Sequence, residues 1–277
     1  MSLTVQSTLK LSSEAAIPRI EFGAYLANEE AVYNALHAGY RMIDTAEFYH
    51  NEAECGSALA RWLSETGSKR EDVYYVTKLW NSHHGELAAN AINDSLRRAN
   101  LDYIDLYLIH SPLSSRKLRL ETWKVMQEAV KAGKIKSIGV SNYGIHHLQE
   151  LLDWPDLEIK PSVNQLEVHP WLPRKDIVSF CNEHDIVVEA YSPLTRGERF
   201  KEPVVQELCK KYNKTPAQIL IRWSLQQGLV PIPKSNNQER IKTNLDVFGY
   251  SISEEDMTKL DIESYAPVTW DPTRSGL

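Results

Sequence analysis

About eight times along this 277-residue chain, a short apolar stretch ends on a polar residue and gives way to an amphipathic helical pattern. Such alternation requires a parallel sheet, because neighbouring parallel strands must be joined by a crossover, usually a helix. Eight units close most economically into a barrel, a form that typically needs about 250 residues. The rival is an open doubly wound sheet. No G-x-G-x-x-G follows the first strand, however, so that fold's usual dinucleotide fingerprint is missing. The spacing predicts an α/β protein, a (β/α)8 TIM barrel in which residues 1–277 form one domain.

In order, "LTVQSTLKLSS" and "IPRIEFG" predict a hairpin that leads into the first barrel strand. Helical patterns are expected near 28–39, 51–65, 86–99, 118–131, 144–152 and 175–183. Two more, at 203–212 and 216–227, each start on a proline, where the missing N–H costs nothing. A helix at 238–246 follows, then a segment near 253–262 that opens with a capping-box pattern. Asp256 stands there where Glu or Gln is preferred. Strands ending in "MID", "YVTK", "LYLIH", "IGVSN", "VNQLEV", "EAYSPL" and "PIPKS" fall between the helices.

Composition excludes several functions. Hydrophobic content of 42% and charged content of 25% suit a soluble globular protein. A net charge of −6 gives no overall attraction to nucleic acid or to an anionic membrane. Cys55, Cys181 and Cys209 are far apart and in no C-x-x-C pattern, which argues against a disulfide framework or zinc site. The first residues lack a signal-peptide layout, and no apolar run approaches a spanning helix. Ser275-Gly276-Leu277 is near a peroxisomal tripeptide but has Gly in the basic position. A cytoplasmic protein is expected, monomeric by default because no assembly signal stands out.

In a parallel barrel the chemistry sits where strands end and loops begin. Asp44, Lys78, His110, Ser141-Asn142, Gln165, Tyr191 and Lys234 occupy that position, with gaps of 34, 32, 31, 24, 26 and 43 residues. Tyr49 follows Asp44 by five residues. An acid, a phenol, an amine and an imidazole past successive strands suggest a proton-transfer site. Singly, each has an ordinary explanation: a solvated loop charge, a packing aromatic, a cap. Their joint occurrence at equivalent positions favours a site. The adjacent pairs His83-His84 and His146-His147 are expected to diverge and hold no metal, and His169, before Pro170, could line a pocket.

The stretches "GYRMIDTAEFYHNE", "VTKLW", "DYIDLYLIHSP", "IKSIGVSNY", "VNQLEVHP", "EAYSPL" and "PIPKS", with Arg240 beyond, resemble the aldo-keto reductases in this order across essentially the whole chain. The resemblance implies a (β/α)8 barrel whose N-terminal hairpin caps its bottom, and NADPH-dependent reduction of an aldehyde or ketone. NADH is the second choice of cofactor. The alternative is a non-catalytic NADPH-binding regulatory or structural member of the same fold. The family's tetrad falls on Asp44, Tyr49, Lys78 and His110. Tyr49 would protonate the carbonyl oxygen, Lys78 would lower the phenol's pKa, and Asp44 would supply the counter-charge of Lys78. A neutral His110 would orient the carbonyl.

For the cofactor, the resemblance implies Tyr191 under the nicotinamide and Ser141, Asn142 and Gln165 on its carboxamide. The run Ser192, Pro193 and Leu194 would lie along the pyrophosphate, and Gly23 would also meet the cofactor. Lys234, Ser235 and Arg240 would surround the 2′-phosphate, Asn236 would join the cofactor site, and Asn244 would meet the adenine. Asn236 and Asn237 are also plausible helix caps. Tyr25, Trp80, His110, Ser111 and Trp270 are expected to line the pocket for a small-molecule carbonyl, a small aromatic or medium aliphatic one. Two departures stand out. Gly23-Ala24-Tyr25 replaces the usual Gly-Thr-Trp, and Thr243 stands where a Glu often clamps the adenine, which bears on NADP selectivity. Short loops after His110 and Leu194, with a short tail, imply an open pocket.

Overall fold

The computed structural model describes residues 3–276; Leu277, the last residue of the terminal tripeptide, lies outside them. Eight parallel strands form one sheet in chain order: β3 (Phe22–Gly23), β4 (Met42–Asp44), β5 (Tyr74–Leu79), β6 (Ile104–Ile109), β7 (Ile135–Ser141), β8 (Val163–Glu167), β9 (Val187–Tyr191) and β10 (Val230–Ile232). The ring closes through backbone bonds from Glu21 N–H to the Pro231 carbonyl at 3.1 Å and from Gly23 N–H to that of Pro233 at 3.0 Å. A side chain at Gly23 would press on Ile232, with a Cβ 3.1 Å from its Cγ2. The seam therefore gives this glycine a packing reason of its own.

The predicted hairpin is β1 (Thr8–Lys10) against β2 (Ala16–Pro18), antiparallel, with Leu9 opposite Ile17. Its Leu11 and Ile17 are buried with Met42, Val76, Leu106, Leu108, Val163 and Val230 in the lower barrel interior. The hairpin thus plugs the bottom. Alternation along each strand does the sorting: Val76 faces in while Tyr75 packs outward under the helices. The outer core lies between sheet and helices and includes Trp123, Tyr107, Tyr143 and Trp223.

The helices begin and end where the sequence supplies caps. Helix α1 (Glu29–Ala38) starts at Asn28, whose side chain accepts from Ala31 N–H at 2.9 Å, and stops at Gly39, at φ 115°. Helices α2 (Glu52–Thr66), α3 (Ala88–Ala99), α4 (Arg116–Lys131), α5 (Ile145–Leu152), α6 (Lys175–Glu183), α7 (Pro203–Tyr212), α8 (Pro216–Gln226) and α9 (Gln238–Leu245) follow within two residues of expectation at either end. The last, α10 (Glu254–Lys259), is shorter than expected. Its capping box is half made: the Ser253 hydroxyl accepts from Asp256 N–H at 3.3 Å, but Ser253 N–H turns to the Tyr212 hydroxyl at 2.8 Å. Tyr212 and Lys211 hold the Asp256 carboxylate instead. Among the described residues no helix is long and apolar enough to cross a membrane.

Candidate active site

Asp44 ends β4 and Lys78 lies near the end of β5, both on the inward face. Lys78 is fully buried. Its Nζ lies 2.5 Å from Asp44 Oδ2, donates to the Thr45 carbonyl at 2.9 Å and reaches the Tyr49 hydroxyl at 3.4 Å. Burial pulls the ammonium toward neutrality, but the charge and the hydrogen bond of Asp44 help to more than offset it, and the net pKa is raised. Lys78 therefore stays charged at any ordinary pH.

Tyr49 sits on the short 3-10 turn Glu47–Tyr49, which His50 closes in the left-handed region at φ 56°. The expectation that Lys78 lowers its pKa holds only as a component. Burial of the phenol among its neighbours dominates and pushes it up to about 12, against the pull of Lys78. His110 follows β6, with its ring edge-on to Tyr49 at 5.7 Å. Burial, and then the charge of Lys78, hold its pKa well below the usual histidine value, so the imidazole is neutral. Its Nδ1 is buried without a hydrogen-bond partner among the described residues.

Four more strand-end residues join this cluster through one hydrogen-bond network. The Tyr191 hydroxyl donates to Asn142 Oδ1 at 2.8 Å, and Asn142 Nδ2 donates to the His110 carbonyl at 2.9 Å. The Ser141 hydroxyl donates to the Gln165 carbonyl at 2.9 Å, and Gln165 Nε2 donates to Asp44 at 3.0 Å. Asn142 and Ser192 both take positive φ, 63° and 50°. Such backbone strain is held only where the surroundings fix it, and it clusters at functional sites.

Farther out, Pro193 is buried and Leu194 packs into the core, so this stretch is fixed before any ligand arrives. Lys234 is partly exposed, and Arg240 and Asn236 are exposed. Neither Lys234 nor Arg240 makes an ion pair among the described residues. Asn237, not Asn236, caps α9, accepting from Arg240 N–H at 2.9 Å. Asn236 instead donates to the Leu26 carbonyl at 3.0 Å, tying the rim to the loop that carries Tyr25. The Ser235 hydroxyl accepts from Asn237 N–H at 3.1 Å, and Asn244 is buried on α9.

The mouth is walled by aromatics. Tyr25 meets the Tyr49 ring edge-on at 5.0 Å, Trp80 lies 5.0 Å from the His110 ring, and Trp270 lies 6.0 Å from Trp80. Ser111 does not join them. It is fully buried, and its hydroxyl donates to Asn81 Oδ1 at 2.7 Å, so its work is to fix the loop. His169 is buried too, with Nε2 2.9 Å from Glu167, rather than lining a pocket. His146 and His147 do not diverge: their ring centroids are 3.8 Å apart, because His147 turns back to accept from Gly144 N–H while His146 reaches the Ser275 carbonyl.

Several residues around the site carry little signal of their own in the sequence. Phe48 stacks on Trp80 at 4.1 Å, and Glu47 accepts from Trp80 N–H at 2.9 Å. Both lie within the stretch around Tyr49, so nearness to it was the available signal. Glu167 accepts from Val268 N–H at 2.6 Å, from Thr269 N–H at 3.1 Å and from the Thr269 hydroxyl. With Arg174, bonded to Asp271 at 2.9 Å, it straps the tail that carries Trp270 across the rim. Gly144 lets the tail pass, since a Cβ there would collide with the Thr273 carbonyl. Only contacts of about a hundred residues' separation reveal this. Among the described residues no group of His, Cys, Asp or Glu is arranged to hold a metal.

Comparison with known proteins agrees with this geometry. The family model for the aldo/keto reductase family matches residues 26–263. An uncharacterized oxidoreductase of Saccharomyces cerevisiae is 46% identical over 273 residues, covering 95% of this chain and 97% of that protein. The glyoxal reductase of Bacillus subtilis is 41% identical, covering 94% of each. A solved aldo-keto reductase of Bombyx mori, in complex with NADP, superposes with a TM-score of 0.87 at 34% identity, covering 94% of this chain and 93% of that one. With the strand-end tetrad, the plugged barrel and matches over nearly the whole length in agreement, the chain belongs to the aldo/keto reductase family.

Proposed function

We propose that this protein reduces aldehydes or ketones to alcohols with NADPH, with Tyr49 as the proton donor. The observation that carries the reading is the contact of the Tyr49 hydroxyl with a buried ammonium that Asp44 keeps charged. The bound nicotinamide supplies the hydride. Tyr49 gives its proton to the carbonyl oxygen, and Lys78 stabilises the phenolate left behind. A group raised to about 12 is a weak acid by itself, so the ammonium 3.4 Å away matters most as that charge develops. Neutral His110 donates a hydrogen bond to the same oxygen and holds the carbonyl carbon at the cofactor face. Burial keeps its imidazole from charging and repelling Lys78.

The residues fit the cofactor. Asn142 and Tyr191 hold each other in place beside the tetrad, and Gln165 Nε2 is already engaged, which leaves its Oε1 for a carboxamide N–H. Two cations at the start of α9 suit a phosphate, and they favour NADPH over NADH. The aromatic mouth, with Tyr25 and Trp270 both well exposed, suits small aromatic or medium aliphatic carbonyls. Following NADPH oxidation across a carbonyl panel tests the reading: turnover of several members supports it. Tight NADPH binding with no turnover on any would leave a non-catalytic binding protein.

A further inference from the structure

Two further carboxyl groups stand in the barrel interior below the tetrad, Glu21 just before β3 and Glu189 in β9, both at 0% exposure. Glu189 is in register with Val230, and Glu21 N–H bonds to Pro231, so the two flank β10 from either side. Their sequence neighbours Phe22 and Ala190 face the outer core, which by alternation turns both glutamates inward. Glu189 Oε2 accepts from Gln165 at 2.8 Å, and the same amide nitrogen reaches Asp44. Glu189 Oε1 and both oxygens of Glu21 are buried with no hydrogen-bond partner among the described residues.

Three carboxyls thus surround one ammonium. The titratable groups facing them are Asp44 on β4, Tyr74 and Lys78 on β5, Tyr49 on its turn and His110 after β6. The inward residues of β7, β8 and β10 in this region, such as Ser137, Gln165 and Val230, carry no titratable group. Asp44 already matches Lys78. Two more full charges in the same buried space would go unmatched, at a cost that only the Gln165 amide on Glu189 offsets in part. A buried carboxylate with no donor at either oxygen, as Glu21 would be, is the less stable form, and the neutral acid is the more stable one.

We propose that Glu21 and Glu189 act as two protonated acids beneath the tetrad, positioning residues that keep the Lys78–Asp44–Tyr49 cluster free of excess negative charge while Tyr49 gives up its proton. This rests on the assignment of Tyr49 as proton donor. The electrostatics agree in sign. Burial first, then the charges of Glu189 and Asp44, raise Glu21 well above the usual glutamate range. Burial first, then the charge of Asp44, raises Glu189 to about 8. A charged Glu21 in turn raises Tyr49. Below about pH 8 the pair is neutral and the phenolate forms at least cost; above it an added negative charge opposes the phenolate, and reduction slows well before Tyr49 itself titrates.

The test follows kcat for carbonyl reduction by wild type, Glu21→Gln and Glu189→Gln from about pH 6 to about pH 10. A wild-type decline of about tenfold, on the scale of one charge several ångströms away, should vanish in Glu189→Gln and persist in Glu21→Gln, which keeps Glu189. The same alkaline limb in all three proteins overturns the proposal. Infrared difference spectra between acid and alkaline wild type give a reading that needs neither turnover nor a variant. They should show a protonated carboxyl stretch lost on raising the pH and weakened in each folded Gln variant, which keeps one of the two carboxyls. No such band in wild type also overturns the proposal. If the band is present in a protein that reduces nothing, the acid pair stands and the assigned reaction fails.

Discussion

At the centre of the barrel mouth Lys78 is fully buried and meets three partners from its own chain, Asp44, the Thr45 carbonyl and Tyr49. At the edge, Lys234 and Arg240 stand on partly or fully exposed positions and make no ion pair among the described residues. The same kind of charge is handled in opposite ways. The central cation is desolvated by the fold and must be matched within it, so its geometry is complete without ligand. The rim cations keep solvent contact, cost the fold little and, on the proposed function, would take their partner from a bound phosphate. Chemistry is preorganised in one place, and affinity is left open in the other.

Substitutions can break that contrast. The largest effect is expected from Lys78→Met, which leaves Asp44 buried without its counter-ion. Stability should fall by about 3–5 kcal/mol in denaturant unfolding, with turnover reduced at least about a hundredfold. An unchanged unfolding midpoint would mean that Asp44 finds another partner. Next comes Lys234→Ala with Arg240→Ala. Loss of two charge-assisted contacts, each about 1.5–3 kcal/mol, should raise KM for NADPH at least tenfold, with KM for NADH and the unfolding midpoint nearly unmoved. Equal changes for both cofactors would remove the 2′-phosphate from this site. The smallest effect belongs to Glu167→Gln, which loosens the tail strap. A loss of about 1 kcal/mol of stability, with a several-fold rise in KM for the carbonyl and little change in kcat, would show that the strap shapes the pocket alone.

How much of this was legible follows from the range of each interaction. Strand-end positions recur with the βα repeat, so Asp44, Lys78 and His110 could be aligned from spacing, and alternation fixed their inward aim. The hairpin and most helix caps are local and were equally readable. What escaped depends on neighbours distant in sequence. Glu167 finds its partner 102 residues later at Thr269, and Glu21 and Glu189 resemble ordinary polar strand residues until the barrel closes. The pull of Lys78 on Tyr49 is legible in a sequence motif, while the larger effect, burial of the phenol, is not. Ser111 was placed in the pocket by its position after His110, yet its side chain turns to Asn81.

The central claim is that the Tyr49 hydroxyl supplies the proton, and removing that one atom tests it most directly. Steady-state NADPH oxidation by Tyr49→Phe, with a carbonyl that wild type reduces, should show kcat at least about a hundredfold lower, with NADPH affinity and unfolding midpoint close to wild type. Turnover within a few-fold of wild type in a folded, NADPH-binding variant would contradict the account, because the proton would then have to come from elsewhere.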